Sequence, residues 1–395
     1  MRILYVASAV EANGTSGGTT HVQEVACGLT ALGHEVMVLA RQAKGSNLSK
    51  LACGAQAKPL PMPKELALLG RAQVARAFHT FRPDVVMERF YNFAGGGIWL
   101  AHKHGLPSLL EVNAPMIDPP ASLKSRIDKV LFGLMRKWAV RQATWASAIV
   151  TTLPSTVPPE VSSQKIVELP WGANVNRFTP DLRQRDRARI KSLAREIGLQ
   201  VGDQVAVFLG SFRAWHGARH FAQAARSLIE SGSGMSFLAV GGGPELNSIQ
   251  EEAGNWHLPP GRLVFTGPRA HEKVPELLAL ANIGVAPFHV DAYPPLKTFG
   301  FYWSPLKVFE YMASGLPVVT IDVRPLNTIV RHEQDGLLFK SGDINGLVDA
   351  LRRLETDRGL AAWLGASARL RVVENYSWER HCEQLDLLLR KIAGA

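Results

Sequence analysis

A glycine-bearing loop near the amino terminus, Thr15–His21 (TSGGTTH), has residue types that suit the binding of a phosphate. The adjacent Gly17 and Gly18 let the backbone approach a ligand closely, and the helix expected to follow offers N–H groups with positive partial charge. The spacing matches neither the GxGxxG dinucleotide fingerprint nor the GxxxxGK[ST] P-loop. The loop therefore indicates an anion site or, as the alternative, an ordinary glycine turn.

A second loop, Gly210–Gly217 (GSFRAWHG), carries Arg213 and His216 directly after a predicted strand. The fork of an arginine guanidinium suits the oxygens of a diphosphate, and the start of the following helix adds to its charge. The loop is therefore a candidate diphosphate site. The alternative is a solvated arginine beside a packed histidine.

The segment Ser304–Val319 (SPLKVFEYMASGLPVV) predicts a helix that carries two ionisable residues, Lys307 and Glu310. Pro305 suits a helix start, and Gly315 suits a helix end ahead of a strand. A carboxylate at Glu310 can accept two hydrogen bonds from a ribose diol, and Lys307, one turn earlier, can contact phosphate. The alternative for this pair is a surface ion pair at i, i+3 spacing.

Short apolar runs alternate with helical patterns up to about Leu169, and the alternation restarts at Gln204. This alternation predicts an α/β fold of two Rossmann-like domains with parallel sheets, whose strand ends face a cleft between them. The expected domains are residues 1–175 and 204–375, with an interdomain linker over 176–203. The predicted strands are Met1–Ala9, Glu35–Ala40, Asp84–Glu88, Ser108–Val112, Ala148–Thr152, Val205–Leu209, Phe237–Val240, Leu263–Thr266, Ile283–Pro287, Pro317–Ile321 and Gly336–Phe339.

Composition excludes several classes of protein. The 395 residues are 46% hydrophobic and 20% charged, which is typical of a globular chain with a sizeable core. The cysteines Cys27, Cys53 and Cys382 are far apart and form no CxxC pair, so we expect neither a zinc module nor a disulfide framework. A reducing compartment is therefore the expected environment. The start MRILYVASAV reads as a buried strand and not as a signal peptide, and no apolar run is long enough to span a membrane, so the expected location is cytoplasmic.

Several segments, taken in their order along the chain, resemble the family-four glycosyltransferases, which are retaining enzymes with the GT-B fold. Ser304–Val319 resembles the donor-binding segment of that family, and WGANVNRF (Trp171–Phe178) resembles its interdomain hinge. YSWERHCEQL (Tyr376–Leu385) resembles the final helix, which implies that residues 376–395 cross back onto the N-terminal domain. Further resemblances are MRILYVAS with SGGTTHVQEVACGLTALGHEVMVLA, VFLGSFRAWHG, VGGGPE (Val240–Glu245), VFTGPR (Val264–Arg269), APF (Ala286–Phe288) and HEQDGLLF (His332–Phe339).

The resemblance implies a role for residues in both domains. Residues of the catalytic centre would be Asn113, Arg213, Lys307 and Glu310. The acceptor would lie near His21, Glu111 and Asn113. The nucleotide-sugar donor would be bound by Gly17, Gly18, Ser211, Arg213, His216, Gly243, Pro268, Arg269, Tyr302, Ser304, Lys307 and Glu310.

The chain departs from the family pattern at three places. Tyr302 stands where the family often has the first of two glutamates, so backbone amides of Thr298–Tyr302 are candidates for contacts with the sugar. Asn113 stands where many relatives carry a histidine, so the leaving phosphate is a candidate base, with His21 as a second one. The donor loop has Ser211 and His216 out of register with the usual arginine and lysine, and Arg213 is the expected substitute.

The resemblance implies retaining transfer through an oxocarbenium-like transition state. Because no DxD triplet is present, we expect transfer without a metal and without any cofactor beyond the nucleotide-sugar co-substrate. The implied setting is the biosynthesis of polysaccharides, glycolipids or natural-product glycosides.

Basic and apolar residues interleave over 124–141. Lys124, Arg126, Lys129, Arg136, Lys137 and Arg141 alternate there with leucine, phenylalanine, methionine and tryptophan. A basic amphipathic helix can lie on an anionic membrane, which would suit a lipid-linked acceptor at its inner face. The alternative is an ordinary half-buried surface helix.

Three other functions compete with sugar transfer. An epimerase of the same fold acting on UDP-sugars and a non-catalytic partner that binds nucleotide-sugar are both compatible with parts of the pattern, the second because of Tyr302 and Asn113. The net charge of +10 would attract nucleic acid. The basic residues are scattered, however, and no recognised nucleic-acid motif occurs, so we expect no nucleic-acid partner.

Overall fold

The computed structural model describes residues 1–14, 16–42, 49–119, 122–200 and 202–394. The chain forms two compact units. The first contains Met1–Trp171, Tyr302–Ser304 and Trp378–Ala395, and the second contains Gly172–Phe301 and Pro305–Ser377. Three residues of predicted features lie outside the described residues: Thr15 of the glycine loop, Val201 of the linker and Ala395 of the final helix.

The first unit is built on a seven-stranded parallel sheet with the order β3-β2-β1-β4-β5-β6-β7. Its central strands are buried on both faces, as is usual where helices cover a parallel sheet on both sides. Its elements are β1 (Arg2–Glu11), α1 (Gly17–Ala31), β2 (Glu35–Arg41), β3 (Gln56–Pro59), α2 (Arg71–Phe81), β4 (Val85–Arg89), α3 (Gly96–Lys103), β5 (Ser108–Val112), α4 (Leu123–Val130), α5 (Leu134–Trp145), β6 (Ala148–Thr151) and β7 (Ile166–Glu168).

The second unit is built on a six-stranded parallel sheet with the order β10-β9-β8-β11-β12-β13. The two predicted Rossmann-like parallel sheets are thus confirmed. Its elements are α6 (Leu182–Arg185), α7 (Arg187–Glu196), β8 (Val205–Leu209), α8 (Ala218–Glu230), β9 (Ser236–Val240), α9 (Leu246–Gly254), β10 (Leu263–Gly267), α10 (Val274–Leu278), β11 (Ile283–Ala286), α11 (Pro294–Phe299), α12 (Leu306–Ala313), β12 (Val318–Ile321), α13 (Leu326–Ile329), β13 (Gly336–Phe339), α14 (Ile344–Thr356) and α15 (Arg358–Asn375).

The last helix, α16 (Trp378–Ala393), belongs to the first unit, as the resemblance implied. It packs along α1, where Gly28 permits the approach: a Cβ at this position would lie 2.3 Å from the Sγ of Cys382. The backbone oxygen of Pro170 lies 2.8 Å from Nδ1 of His381, which ties the helix to the end of the sheet. In the described part of the chain, no helix is both long enough and apolar enough to cross a bilayer.

The sequence analysis missed the two edge strands of the first sheet, β3 and β7. The sequence QAKP of β3 and the three residues of β7 were not predicted as strands. Both are short edge strands with mostly exposed side chains, so they lack the regular alternation of buried apolar residues that marks a strand.

The segment predicted as an interdomain linker is packed into the second unit. Phe178 is buried, and Arg369 donates hydrogen bonds to the carbonyl oxygens of Val175 and Phe178. Arg183, at α6, donates to the carbonyls of Ala279 and Ala281. Arg183 of the predicted linker therefore binds backbone carbonyls of the second unit.

The cysteines also differ from expectation. Cys27 in α1 and Cys53 ahead of β3 form a disulfide, with their Cα atoms 5.4 Å apart, while Cys382 is free and buried. We expected no disulfide framework because the three cysteines are far apart in sequence and none sits in a CxxC pair. The pairing of β2 with β3 brings the segment before β3 back towards α1. The cysteine spacing therefore gives no information about a reducing compartment.

Candidate functional site

In the second unit, the carboxyl ends of three neighbouring strands are joined by backbone hydrogen bonds. Gly210 after β8 donates to Val240 of β9 at 2.9 Å, and Gly241 donates to Gly267 of β10 at 3.1 Å. Gly241 has a φ of +135°, and a Cβ there would lie 1.9 Å from the oxygen of Gly210. Only glycine fits this close approach, so the predicted glycine loops form one surface at the end of the sheet where ligands of such folds bind.

Lys307 points its ammonium group into this end of the sheet. The residue is 7% exposed, and its Nζ lies 4.4 Å from the ring centre of Phe208 and 4.7 Å from that of Phe288. Nζ has no hydrogen-bond partner among the described residues, and a Cβ on Gly210 would lie 2.8 Å from it. Burial lowers the pKa of Lys307 to about 7, although Glu310 raises it. A buried cation without a partner favours the arrival of an anion.

Glu310 lies one turn along α12 from Lys307 and is also buried, at 4% exposed. Its Oε1 lies 2.7 Å from Nε2 of His271, in the short helical turn His271–Lys273 that follows β10. The alternative of a surface ion pair between Lys307 and Glu310 is therefore wrong, because both are inside. His271 was missed by the sequence analysis, although it lies only two residues beyond the segment that was assigned to the donor.

Arg213 and His216 share this environment. Burial, followed by the charges of Lys307 and Arg213, lowers the pKa of His216 to about 2, so the imidazole is neutral at ordinary pH. The guanidinium of Arg213 is exposed and lies 5.2 Å from the ring centre of Trp215, which in turn stacks on Tyr293. Arg213 and Lys307, the two cations predicted to bind a diphosphate, thus both lower the pKa of His216.

Other predicted donor residues of the second unit lie in the same group of loops. A Cβ on Gly243, whose φ is +153°, would lie 2.7 Å from the backbone nitrogen of Phe212, the residue that follows Ser211. Pro268 packs over Gly242, and Arg269 next to it is exposed. These residues thus lie next to one another in the loops that follow β8, β9 and β10.

Tyr302 and Ser304, which were assigned to the donor, belong to the first unit. The carbonyl oxygen of Tyr302 accepts a hydrogen bond from the Thr152 hydroxyl, and Oγ of Ser304 accepts one from the backbone N–H of Trp171 at 2.9 Å. The Tyr302 side chain is buried. These contacts tie both residues to the first unit, and their assignment to the donor stays a prediction.

In the first unit, a polar cluster forms around Glu111, which is 6% exposed. We call it the first cluster, and the residues around Lys307 in the second unit are the second cluster. Tyr5 donates to its Oε2 at 2.7 Å, and Arg89 donates to its Oε1 at 3.0 Å. Asn113 donates its side-chain amide to Oε1 as well. The parallel register pairs Arg89 directly with Glu111, since β4 and β5 are neighbours. Both carboxylate oxygens therefore have donors.

The indole of Trp171 in the same cluster contacts the side-chain oxygen of Asn113. Nε1 of Trp171 donates to Oδ1 of Asn113 at 2.9 Å, and the Arg89 guanidinium lies 5.4 Å from the Trp171 ring centre. A small cavity is lined by Asn113, Trp171 and His381, among others. Tyr5, Arg89, Trp171 and His381 were not predicted. Only Arg89 had a usable signal, as a charged residue at the carboxyl end of a predicted strand.

His21 completes the cluster, with its ring centre 4.3 Å from that of Trp171. Nδ1 lies 3.1 Å from Nη1 of Arg89 and 3.3 Å from Oε1 of Glu111, while Nε2 has no hydrogen-bond partner among the described residues. Burial first, then the charges of Arg89 and His381, hold its pKa well below the usual range. His21 is therefore a neutral imidazole with one ring nitrogen still available.

The glycine loop leads into this cluster. Ser16 caps α1, and its Oγ accepts from the N–H of Thr19 at 3.2 Å. A Cβ on Gly18 would lie 3.7 Å from Nη2 of Arg89. The predicted residues Gly17, Gly18, His21, Glu111 and Asn113 thus belong together in the first unit, and Arg213, His216, Lys307 and Glu310 belong together in the second.

Comparison with known proteins finds one family match in each of the two sequence regions. Residues 203–357 match the family described as glycosyl transferases group 1, and residues 16–157 match the glycosyl transferase 4-like domain. Sucrose-phosphate synthase from Thermosynechococcus elongatus, 19% identical, superposes over 100% of both chains with a TM-score of 0.77, which shows a shared fold.

Two curated relatives match over part of their length. The 2-deoxystreptamine glucosyltransferase of Streptomyces kanamyceticus is 25% identical over 64% of this chain and 62% of its own. The UDP-Gal:alpha-D-GlcNAc-diphosphoundecaprenol alpha-1,3-galactosyltransferase of Escherichia coli is 23% identical over 57% of this chain and 54% of its own. The chain thus spans between half and two thirds of the length of these relatives. With both family matches, two parallel sheets and the loop surface at the strand ends, it belongs to the group 1 glycosyltransferases of GT-B fold.

Proposed function

We propose that this protein transfers a sugar from a nucleoside diphosphate-sugar to a hydroxyl group. The observation that carries the proposal is the ammonium group of Lys307, which is buried at the carboxyl ends of the strands without a hydrogen-bond partner among the described residues. A buried cation of this kind is costly unless a ligand supplies the opposite charge. The diphosphate of the donor supplies it.

Each residue of the second cluster has a distinct task in this proposal. Lys307 and Arg213 stabilise the negative charge that develops on the departing diphosphate, which is worth roughly 3–4 kcal/mol for one such contact. Glu310 accepts hydrogen bonds from the ribose diol, and His271, 2.7 Å away, orients its carboxylate. Because side-chain cations provide the charge, we propose that transfer is independent of a metal and needs no cofactor beyond the donor.

The first cluster is proposed to bind the acceptor and to leave deprotonation to the donor. Glu111 already accepts hydrogen bonds from Tyr5, Arg89 and Asn113, so its lone pairs are engaged. An amide such as Asn113 cannot take up a proton at ordinary pH. His21, the second candidate, is a weak base because burial holds its pKa well below the usual range. The leaving phosphate is then the base for the incoming hydroxyl, on the same face as the departing group, and the sugar keeps its anomeric configuration.

We further propose a lipid-linked acceptor at the cytoplasmic face of an anionic membrane. The name of the Escherichia coli relative specifies a UDP-sugar donor and a diphosphoundecaprenol acceptor. The basic and apolar residues over 124–141 of this chain supply the physical support, since they combine positive charge with exposed apolar side chains.

A panel of UDP-, GDP-, ADP- and dTDP-sugars, added to the protein in excess chelator, tests donor binding. A true donor raises the melting temperature in proportion to the logarithm of its concentration over its Kd. Release of the nucleoside diphosphate and the anomeric signal of the product in NMR spectra then test transfer and retention. Binding without turnover would favour a non-catalytic partner. Turnover that is lost in chelator and restored by a divalent ion would overturn metal independence.

A further inference from the structure

Helix α4 carries an apolar stripe that faces solvent. Leu123, Ile127 and Val130 are spaced by four and three residues and therefore lie on one face of the helix. They are 72%, 42% and 77% exposed, and α4 has no buried residue at all. A stripe with this spacing normally packs into a core, so its exposure here calls for a partner outside the chain.

The turn between α4 and α5 extends the stripe. Leu131, Phe132 and Leu134 are exposed as well, and Phe132 is 86% exposed. Phe132 also has a φ of +52°, a backbone conformation that disfavours bulky side chains. Neither burial nor backbone preference therefore accounts for an aromatic residue at this tip.

The hairpin over residues 122–145, the α4–α5 hairpin, has a defined shape. The Asp128 carboxylate accepts hydrogen bonds from the N–H groups of Met135 at 2.7 Å and Arg136 at 3.3 Å, and its carbonyl accepts one from Gly133 at 2.8 Å. These bonds cap α5 and fix the turn. The apolar tip is thus held out by hydrogen bonds within the hairpin.

Positive charge surrounds the stripe. Asp128 is the one acidic residue among the 24 of the hairpin, and it is engaged in the cap. Arg136 pairs with Glu160 and Lys124 with Asp118. Four further cations have no acidic partner within the described residues: Arg126, Lys129, Lys137 and Arg141.

We infer that the α4–α5 hairpin inserts its apolar tip into the surface of an anionic lipid bilayer. The cores of protein interfaces are depleted of lysine, whereas a membrane surface accommodates a dense set of basic residues around an apolar wedge. This inference names the surface that would contact the membrane in the proposed function. It depends on the proposed function only for the idea that the acceptor is linked to a lipid. The first turn of α4 is also linked to the loops after β4 and β5, because Lys124 lies 3.8 Å from Asp118, which accepts from Asn92.

Flotation of the full chain with vesicles tests the inference. Vesicles of equal parts phosphatidylglycerol and phosphatidylcholine should carry the protein upwards at low salt, and vesicles of phosphatidylcholine alone should not. High salt should weaken the binding, because it screens the contribution of the cations. Val130→Ser with Phe132→Ser should lower the partition constant about tenfold or more, given the apolar area lost from the bilayer.

Matched variants separate the hairpin from the general positive charge of the protein. Arg126→Gln with Lys129→Gln should lower partition onto the anionic vesicles about tenfold or more. Arg187→Gln with Lys191→Gln, on the exposed face of α7, removes the same charge and should have little effect. Leu370→Ser with Val373→Ser is the apolar control, since both residues are exposed on α15.

Three results would overturn the inference: no flotation of the wild-type chain, equal losses in hairpin and control variants, or dimerisation that disappears in Val130→Ser with Phe132→Ser. Measurements of donor binding distinguish a failure of this inference from a failure of the proposed function. Nucleotide-sugar thermal shifts should be the same in the wild-type chain and in all hairpin variants. A hairpin that binds vesicles in a chain that binds no nucleotide-sugar would refute the proposed function and leave the membrane contact standing.

Discussion

The two polar clusters of the molecule differ in how their central charge is satisfied. The carboxylate of Glu111 in the first unit accepts hydrogen bonds on both oxygens, from Tyr5 on one and from Arg89 and Asn113 on the other. The ammonium of Lys307 in the second unit has aromatic rings beside it and no hydrogen-bond partner in the described chain. Both groups are buried, so the difference does not come from access to solvent.

This difference separates a preorganised surface from a charge that awaits its ligand. A buried carboxylate whose two oxygens both accept hydrogen bonds holds its geometry and contributes to stability. A buried cation without a partner costs stability in the free protein and regains it when an anion binds. The two clusters should therefore respond in opposite directions when their central charges are removed.

Removal of the carboxylate charge by Glu111→Gln should have the largest effect on stability. Arg89 has a side chain that is only 14% exposed, and it would lose its counter-charge. Breaking a buried pair in this way costs about 3–5 kcal/mol. In a unit of this size, that lowers the melting temperature by roughly 10 °C, which calorimetry measures.

The added substitution Arg89→Met is the control for Glu111→Gln. It removes the uncompensated cation and should restore part of the lost stability. Nucleotide-sugar binding should change little in both variants, because Arg213, Lys307 and Glu310, which are proposed to contact the diphosphate and the ribose, belong to the other unit. A loss of donor binding equal to the loss of stability would show that the two clusters do not act separately.

Removal of the ammonium by Lys307→Met should slow release of the nucleoside diphosphate by about 10²–10³-fold. The same change should raise the melting temperature. Burial places the pKa of Lys307 at about 7 in the folded chain, below its ordinary value of 10.5, so the charged form opposes folding. The gain in stability should be full below pH 7 and fade as the pH rises towards that ordinary value.

Lys191→Met, on the exposed surface of α7, is the matched control and should change neither activity nor melting temperature. A Lys307→Met variant that is both slower and less stable would contradict the view of Lys307 as a charge that awaits a ligand.

The first unit has a covalent restraint in addition to its hydrogen-bond network. Cys27 and Cys53 close a loop with a sequence separation of 26, and such a crosslink stabilises by about 3 kcal/mol. Cys27→Ser with Cys53→Ala should lower the melting temperature, and a reductant should have the same effect on the wild-type chain but none on the double variant. Mass spectrometry after thiol alkylation checks the pairing. Two alkylated thiols at these positions in the oxidised protein would refute it.

The positions of the second cluster could largely be predicted from sequence. Arg213 follows a strand, and Lys307 and Glu310 lie at the start of a helix, so strand–loop–helix patterns place all three at the end of a sheet. The pairing of Glu310 with His271 could not be predicted, because 39 residues separate them and only the packed unit brings them together.

The first cluster was harder to predict because it depends on the sheet. Arg89 meets Glu111 through the register of two parallel strands, which no local pattern encodes. Tyr5 lies in the buried part of strand β1, between the apolar residues Leu4 and Val6, so the sequence pattern predicts a core residue there. The fold could thus be predicted from periodicity, while the hydrogen-bond network required the register.

The pH dependence of donor binding should show the smallest effect and the most specific one. A nucleotide-sugar has a diphosphate that stays ionised near neutrality, so a change in its affinity reports on the protein. As the pH rises from about 6 to about 8, Lys307 in the free protein loses most of its charge, and the Kd should rise about tenfold. Titration calorimetry at several pH values measures it, and binding at pH 8 should take up a proton.

Three variants assign that slope to one residue. Lys307→Met should bind weakly at every pH, with no slope. Arg213→Gln should bind more weakly but keep the slope, since an arginine stays charged throughout this range. His271→Gln should keep it as well, and His216 does not contribute because its pKa of about 2 leaves it neutral. If the slope persists in Lys307→Met, another group titrates, and the contrast between a satisfied carboxylate and a cation that awaits its anion loses its basis.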